Sequence, residues 1–313
     1  MILNLLKKAT HKRLFFFKNI HNSILKNAKI TFVDIGAAIQ IIPRWKKIDR
    51  KNLNYILFEP NKSEVKLLQL NKIHYDNYRI YVSALGAKKK NLQLNVTKGS
   101  YQSSVLKPNF NFINQFPNSD RFTITKKIKI KTRLLDSFKI KNADFIKIDA
   151  QGYNYEVLKG SSKTLDSTLG LEIEVEFVDM YSKQKLFGDI DKILTKKNFL
   201  FIDFLSLQKW KRNERDGGQC VFGNVLYLKK FEYISDLKRA KVLKYISICL
   251  LYSKFDMAAE AVKKYKFKTF EKNILNNQIE FLEKKFYKSK YIKKIANVII
   301  KYFDMDQNLY LFQ

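Results

Sequence analysis

Two cysteines, Cys220 and Cys249, are all that 313 residues contain. That is too few for a disulfide framework, so a reducing compartment is the expectation. No run approaches the roughly 20 apolar residues that cross a bilayer; the longest, Ile246–Tyr252, is broken by Ser247. Phe15–Phe17 lack the apolar core and small-residue cleavage site of an export signal. A cytoplasmic chain is expected. Histidine is nearly absent: His11, His21 and His74 are the only three, none near a predicted strand end. They read as surface residues, which argues against a histidine base or a metal site. Glycine is scarce where a dinucleotide would need it. The pyrophosphate fingerprint is G-x-G-x-x-G, whereas Gly36 stands alone before Ala37, Ala38 and Ile39. NAD and FAD are disfavoured, and a nucleoside cofactor without a pyrophosphate is less demanding.

Acids are few as well, 29 against 60 basic residues, for a net charge of +31. Such a charge invites nucleic acid or an anionic membrane as partner. Yet only nine of the basic residues are arginine, the side chain suited to reading bases, and lysines are spread along the whole chain. No nucleic-acid partner is expected. Attraction to a phosphorylated substrate or an acidic membrane face stays open.

Residues 1–28 space Ile2, Leu6, Ala9, Phe16, Phe17, Ile20 and Ile24 as a helix does, among basic side chains. This reads as a basic amphipathic helix, either at the periphery of a membrane or covering the following sheet. From 29 to 230, strands alternate with helical stretches, the pattern of an α/β fold with a mostly parallel sheet. Strands are predicted near Thr31–Ile35, Tyr55–Phe58, Ile80–Ser83, Phe145–Ile148, Leu171–Glu176, Leu200–Asp203 and Val221–Leu228. An insertion spans about 85–143, with strands at Leu92–Val96 and Thr123–Lys131 and a polar loop at Gly99–Asn109. Residues 231–313 read as a small helical appendage, with helices at Asp236–Tyr252, Asp256–Lys266 and Lys268–Tyr287 and a further one near Tyr291–Phe303. An oligomer contact is a natural use for it.

The chemistry gathers at strand ends, where open α/β sheets bind ligands. TFVDIGAA ends a strand on Asp34 and turns at Gly36; ILFEPN ends one on Glu59; YVSALG follows one with Ser83 and Ala84. FIKIDAQGYNYEVLKG ends a strand on Asp149, turns at Gly152 and enters a helix. An acid at the Glu59 position can accept both hydroxyls of a ribose, while Ser83 and Ala84 border a base. Asp34, Glu59 and Asp149 together suit S-adenosyl-L-methionine. On the strand LEIEVE, Glu172, Glu174 and Glu176 alternate and so share one face.

TFVDIGAA, IIPRWKK, FEPN, FIKIDAQGYNYEVLKG and LEIEVEFVDMY, with the SSVLKPN loop and VFGNVLYL, resemble the FkbM-type family of S-adenosylmethionine-dependent methyltransferases over Thr31–Leu228. The resemblance implies the class I methyltransferase (Rossmann-like) sheet of seven strands, with helices on both faces and a last antiparallel strand inserted between its neighbours. It implies methyl transfer to a hydroxyl of a sugar, glycan or small natural product. By position, Asp34, Gly36, Glu59, Ser83 and Ala84 fall in the cofactor pocket and Asp149 beside the transferred methyl. The chain departs from the pattern at Ala37-Ala38-Ile39, and again at Gln151, where the common Asp-x-Glu-Gly has an acid. An amide neither takes up a proton nor carries charge.

Methyl transfer is an in-line displacement that positioning can largely catalyse, and an alcohol also sheds a proton. Asp149 is the first candidate acceptor for it and Glu174 the second, or Lys147 simply pairs with one of these acids to stabilise the sheet. Arg44, Ser103, Ser104 and Asn109 are candidates for gripping the acceptor, with Lys107 beside them; Trp45 lines the pocket or belongs to the core. Two alternatives remain: a catalytically degenerate domain serving as a scaffold, and a nucleic-acid methyltransferase built on Lys147, Asp149 and Glu174.

Overall fold

The computed structural model describes residues 16–37, 43–70, 77–215 and 217–302. Its main sheet has seven strands in the order β3-β2-β1-β7-β8-β10-β9. These are β1 (Ile30–Ile35), β2 (Leu53–Phe58), β3 (Asn77–Tyr81), β7 (Phe145–Ile148), β8 (Gly170–Glu176), β9 (Phe199–Trp210) and β10 (Gln219–Lys229). β1 pairs in parallel with β2 on one side and β7 on the other, so the strand order reverses between them. That reversal opens the crevice in which such sheets bind ligands. β10 runs antiparallel between β8 and β9. This is the seven-stranded class I methyltransferase topology.

β1 is buried along its whole length, as a central parallel strand covered on both faces must be. Its alternate residues feed two cores. Val33 and Ile35 join Ile146, Ile148, Leu171 and Ile173, beneath helices α2 (Asn154–Lys159), α3 (Ser162–Ser167) and α4 (Phe187–Lys196). A further helix, α1 (Lys62–Leu70), follows β2. Ile30 and Phe32 join Tyr55, Phe145 and Trp45 on the other face. Trp45 is therefore core: its ring stacks on Phe32 with centroids 4.2 Å apart.

The helices expected as an appendage form the layer over this second face. α5 (Arg239–Leu251), α6 (Phe255–Lys264) and α7 (Thr269–Tyr302) share one hydrophobic cluster with Phe32, Tyr55 and Phe145. A buried carboxylate ties them down: Asp144 accepts the Thr31 N–H at 2.8 Å and the ammonium groups of Lys241 and Lys244 at 2.6 and 2.8 Å. The two helices predicted beyond Lys268 run as one, since no glycine or proline interrupts Thr269–Tyr302.

Residues 16–25 are helical, and Phe17, His21, Ile24 and Leu25 turn into the core. Of the two readings of this segment, the described part covers the sheet; residues 1–15 lie outside the described residues. The surface assignment of His21 is corrected by the same finding. Its Nδ1 lies 2.6 Å from the Ser247 hydroxyl, and burial, followed by the charge of Lys47, pushes its pKa down to about 3. His11 and His74 lie outside the described residues.

The insertion folds as a second sheet of β4 (Ala84–Leu85), β6 (Ile124–Arg133) and β5 (Lys90–Thr97). Its polar loop folds back where Asn95 and Ser104 exchange backbone hydrogen bonds at 2.8 and 3.2 Å.

Candidate active site

Three strand ends and the inserted sheet enclose one cleft of about 240 Å³. Its geometry starts at Gly36, whose φ of +74° suits glycine. A Cβ at that position would lie 1.9 Å from the Asp149 carbonyl oxygen, so the missing side chain is what lets the end of β1 close on the end of β7. The Gly36 N–H donates to the Phe58 carbonyl at 3.0 Å, and the Asp149 N–H to that of Ile35 at 2.9 Å. Phe58, Ala84, Leu85 and Val157 give the cleft apolar walls, and Thr97, Tyr101 and Ser103 of the insertion close it from above.

Glu59 stands at the end of β2 and borders the cleft. Its Oε1 accepts the Asn61 N–H at 2.7 Å. Burial pushes its carboxyl up to about 7; that N–H offsets part of the shift, and the charges of Glu64, Asp34 and Asp149 add to it. Tyr153, also bordering the cleft, is 8% exposed, and its hydroxyl has no hydrogen-bond partner. A half-buried carboxylate held against its solvation preference and an unpaired buried hydroxyl both gain from a ligand rich in hydroxyl and amino groups. S-adenosyl-L-methionine, with its ribose diol, amino group and carboxylate, fits these residues.

At the end of β7 the side chains form a network around Gln151. Its amide nitrogen donates to Asp149 Oδ1 at 2.9 Å and to Glu174 Oε1 at 3.1 Å. Its amide oxygen lies 3.2 Å from the Tyr181 hydroxyl, which is also 3.0 Å from the Gln102 carbonyl and can give its one proton to either. Gln151 and Gly152 both have positive φ, 44° and 79°, which turns the chain sharply into α2. Asn154 secures the turn, accepting the Ala150 N–H at 2.6 Å and donating to the Glu174 carbonyl at 2.9 Å.

Lys147 Nζ lies 3.2 Å from Asp149 and 3.8 Å from Asp34. Burial alone would lower its ammonium pKa, but Asp149 and Asp34 carry it above the usual range. Glu174 is raised well above the carboxylate range by burial, with Asp149 and Glu176 adding to the shift. Burial, then Asp149, likewise pushes Glu176 up to about 8, and its Oε1 has no hydrogen-bond partner. Burial thus shifts both Glu174 and Glu176 toward the protonated form, and Asp149 is the acid of this group that borders the cleft.

The structure brings Gly36, Glu59, Ser83, Ala84, Ser103, Ser104 and Asp149 to one cleft. Glu174 reaches it through Gln151. Within the cleft wall, Ser104 donates to the Gln151 carbonyl at 2.6 Å, and the Ser103 oxygen accepts the Thr97 N–H at 3.2 Å. Both hydroxyls thus hold the loop as well as facing the cavity.

Asp34, Arg44 and Asn109 stand elsewhere. Asp34 faces away from the cleft core of Val33 and Ile35, and it accepts the Tyr55 hydroxyl at 2.7 Å. Burial raises its pKa against the pull of Lys147. Arg44 pairs with Glu172 at 3.2 Å and lies 4.2 Å from the centroid of the Tyr252 ring. Asn109 donates to the Asp179 carbonyl at 2.8 Å. In the sequence, Tyr153, Tyr101 and Tyr181 gave no sign of their place here; only the adjacency of Tyr153 to Gly152 could have pointed to one of them.

A family model described as the methyltransferase FkbM domain matches residues 34–201. No curated protein matches the chain. Among solved structures, a methyltransferase FkbM from Methylobacillus flagellatus KT is 14% identical, with a TM-score of 0.38; the match covers 64% of this chain and 43% of that one. This chain therefore spans under half the length of that protein. An O-methyltransferase family 2 protein from Planctomyces limnophilus DSM 3776, in complex with apigenin, is 9% identical at a TM-score of 0.34, over 66% and 52% of the two chains. TrmK of M. capricolum, in complex with S-adenosyl-homocysteine, is 10% identical at 0.31, over 84% and 95%.

Proposed function

The chain belongs to the FkbM family of methyltransferases, and on that premise we propose that it moves the methyl group of S-adenosyl-L-methionine to a hydroxyl oxygen of a sugar, glycan or small natural product. The observation that carries the reading is Glu59, a half-buried carboxyl at the edge of the cleft whose partial desolvation pushes it up to about 7. Two ribose hydroxyls donating to it would repay its lost hydration, and hydrogen bonds to a charged acceptor are the stronger kind.

When bound, the cofactor supplies an electrophilic methyl carbon on a positively charged sulfur. The chain supplies position and a place for the proton. Gly36 leaves room at the end of β1, Ser83 and Ala84 border the apolar wall, and Tyr153 offers an unpaired hydroxyl. The acceptor's oxygen would take the methyl carbon as the carbon–sulfur bond breaks and S-adenosyl-homocysteine leaves as a neutral thioether, while the acceptor's proton would pass to a carboxylate oxygen of Asp149. Lys147 at 3.2 Å and Gln151 at 2.9 Å fix the direction of that carboxylate. The upward shifts of Glu174 and Glu176 lessen the anionic repulsion on Asp149. The acidic surroundings also favour an acceptor that offers hydroxyl donors over a phosphorylated one.

Calorimetry with S-adenosyl-L-methionine tests the cofactor half of the proposal. Micromolar binding that Glu59→Ala abolishes supports it, and no heat at millimolar cofactor overturns it. The hydroxyl half is tested by transfer of labelled methyl to a panel of sugars and of matched amines. Label appearing on nitrogen alone rejects O-methylation.

A further inference from the structure

The long helix α7 carries an apolar stripe that leaves much of its surface exposed. Leu275, Ile279 and Leu282 are turned into the core, yet Phe270 is 75% exposed, and Ile274 and Phe281 are 41% and 40% exposed. Phe270, Ile274 and Phe281 stand four and then seven residues apart, the spacing of one helix face. Lys285 and Lys288 repeat that spacing beyond Phe281, so they extend the same line, and both are exposed. The helix over 16–25 packs alongside: Gln278 donates to the Ser23 hydroxyl at 2.8 Å. Phe16, itself part-exposed, sits 6.3 Å from Phe281 between ring centroids. The ammonium of Lys285 lies 5.5 Å from the Phe281 ring and 6.0 Å from the Phe16 ring.

The acids of α7 stay off this line. Glu271 is paired with Arg239, Glu280 with Lys284, and Glu283 lines the groove between α6 and α7. The face therefore combines protruding aromatic and aliphatic groups with positive charge only. A core-facing stripe would not be lysine-flanked, and a purely electrostatic patch would not leave Phe270 in water.

We propose that this face, formed by α7 between Phe270 and Lys288 together with Phe16, docks the protein on an anionic phospholipid surface. Apolar side chains enter the interface between headgroups and acyl chains, while lysines stay level with the phosphates. Each lysine near an anionic surface adds attraction that salt weakens. The charge of +31 supplies long-range attraction; the stripe supplies the orientation. Nucleic acid shares the charge preference, but its phosphates give no reason for an aliphatic Ile274 beside two phenylalanines.

The test is flotation of the full chain with vesicles of phosphatidylcholine alone and of phosphatidylcholine with phosphatidylglycerol. Binding is expected to the second only, falling as salt rises. The double variant Phe270→Asp, Ile274→Asp should lower the partition coefficient by at least about tenfold, with thermal midpoint and cofactor affinity unchanged. Lys285→Glu, Lys288→Glu should lower it independently. The proposal is overturned if the wild-type chain fails to float with anionic vesicles at low salt, or if the variants float equally well. It is also overturned if Phe270→Asp, Ile274→Asp instead splits a dimer on light scattering, or abolishes retention of RNA while leaving flotation intact.

Discussion

Gly36 and Asp149 meet with no room for a side chain between them: a Cβ on the glycine would stand 1.9 Å from the aspartate's carbonyl oxygen. One contact thus fixes how the end of the first strand, which turns into the cleft, lies against the strand carrying the proposed proton acceptor.

Gly36→Ala is therefore expected to damage binding and stability together. Positive φ and the clash are separate penalties, jointly about 2–4 kcal/mol. Denaturant unfolding and calorimetry read the two effects. A variant unchanged in both would show that the strand ends separate freely.

Glu59→Gln removes the charge at the proposed ribose position and keeps the shape. Hydroxyl donors bind the ionised form best, so wild-type affinity for S-adenosyl-L-methionine should rise as pH passes upward through about 7, where this carboxyl titrates. The variant should bind about 10- to 100-fold more weakly and show no such rise. An affinity that is flat with pH in the wild type would remove Glu59 from the site.

Gln151 bridges two acids with its amide nitrogen, and that role predicts a split between kcat and KM. Gln151→Met removes the donors that fix the direction of the Asp149 carboxylate, and should lower kcat about tenfold with KM for the cofactor little changed. Gln151→Glu, which also sets a like charge beside Asp149, should lower kcat further. A kcat unchanged in both variants would show that the bridge does not position Asp149.

Much of this site could be read in the sequence because its signals are local. An apolar run ending on Asp149, a glycine three residues on and a helix after it define a strand end within sixteen residues. Facing was harder to read. β1 is buried on both sides, so no alternation of polar and apolar residues tells which face Asp34 takes, and the register with Lys147 that turns it from the cleft is a long-range fact. Arg44 is captured by Glu172 and Tyr252, partners 128 and 208 positions away. His21 is buried by a serine 226 positions away. The C-terminal helices were legible as helices, but their docking on the sheet through Asp144 rests on two lysines with nothing in their own neighbourhood to mark them.

Asp144 gives the sharpest test that those helices belong to the fold. It is fully buried, with three donors from two distant segments. Asp144→Ala leaves two part-buried ammonium groups unpaired, and breaking such a cluster typically costs about 3–5 kcal/mol. Urea unfolding should show that loss in a single transition. Two transitions, with the sheet melting at the wild-type midpoint, would make the helices a separate unit.

The pH dependence of stability follows from the buried acids, and its sign can be worked out. Glu59 and Glu176 have folded pKa values of about 7 and about 8, against an ordinary value of 4.5. A carboxyl whose pKa is raised by folding binds its proton more tightly when folded, so its stabilising contribution is lost as pH rises from the unfolded toward the folded value. His21 acts the other way, since burial lowers it to about 3; its contribution is lost as pH falls below about 6.5. Between pH 6.5 and 8 the acids dominate, and the thermal midpoint of the ligand-free chain should fall as pH rises. Glu176→Gln, replacing an acid whose Oε1 has no partner, should flatten that fall and raise stability at pH 8 by on the order of 2 kcal/mol. A steeper fall in the variant would mean that Glu176 is ionised and stabilising where it lies.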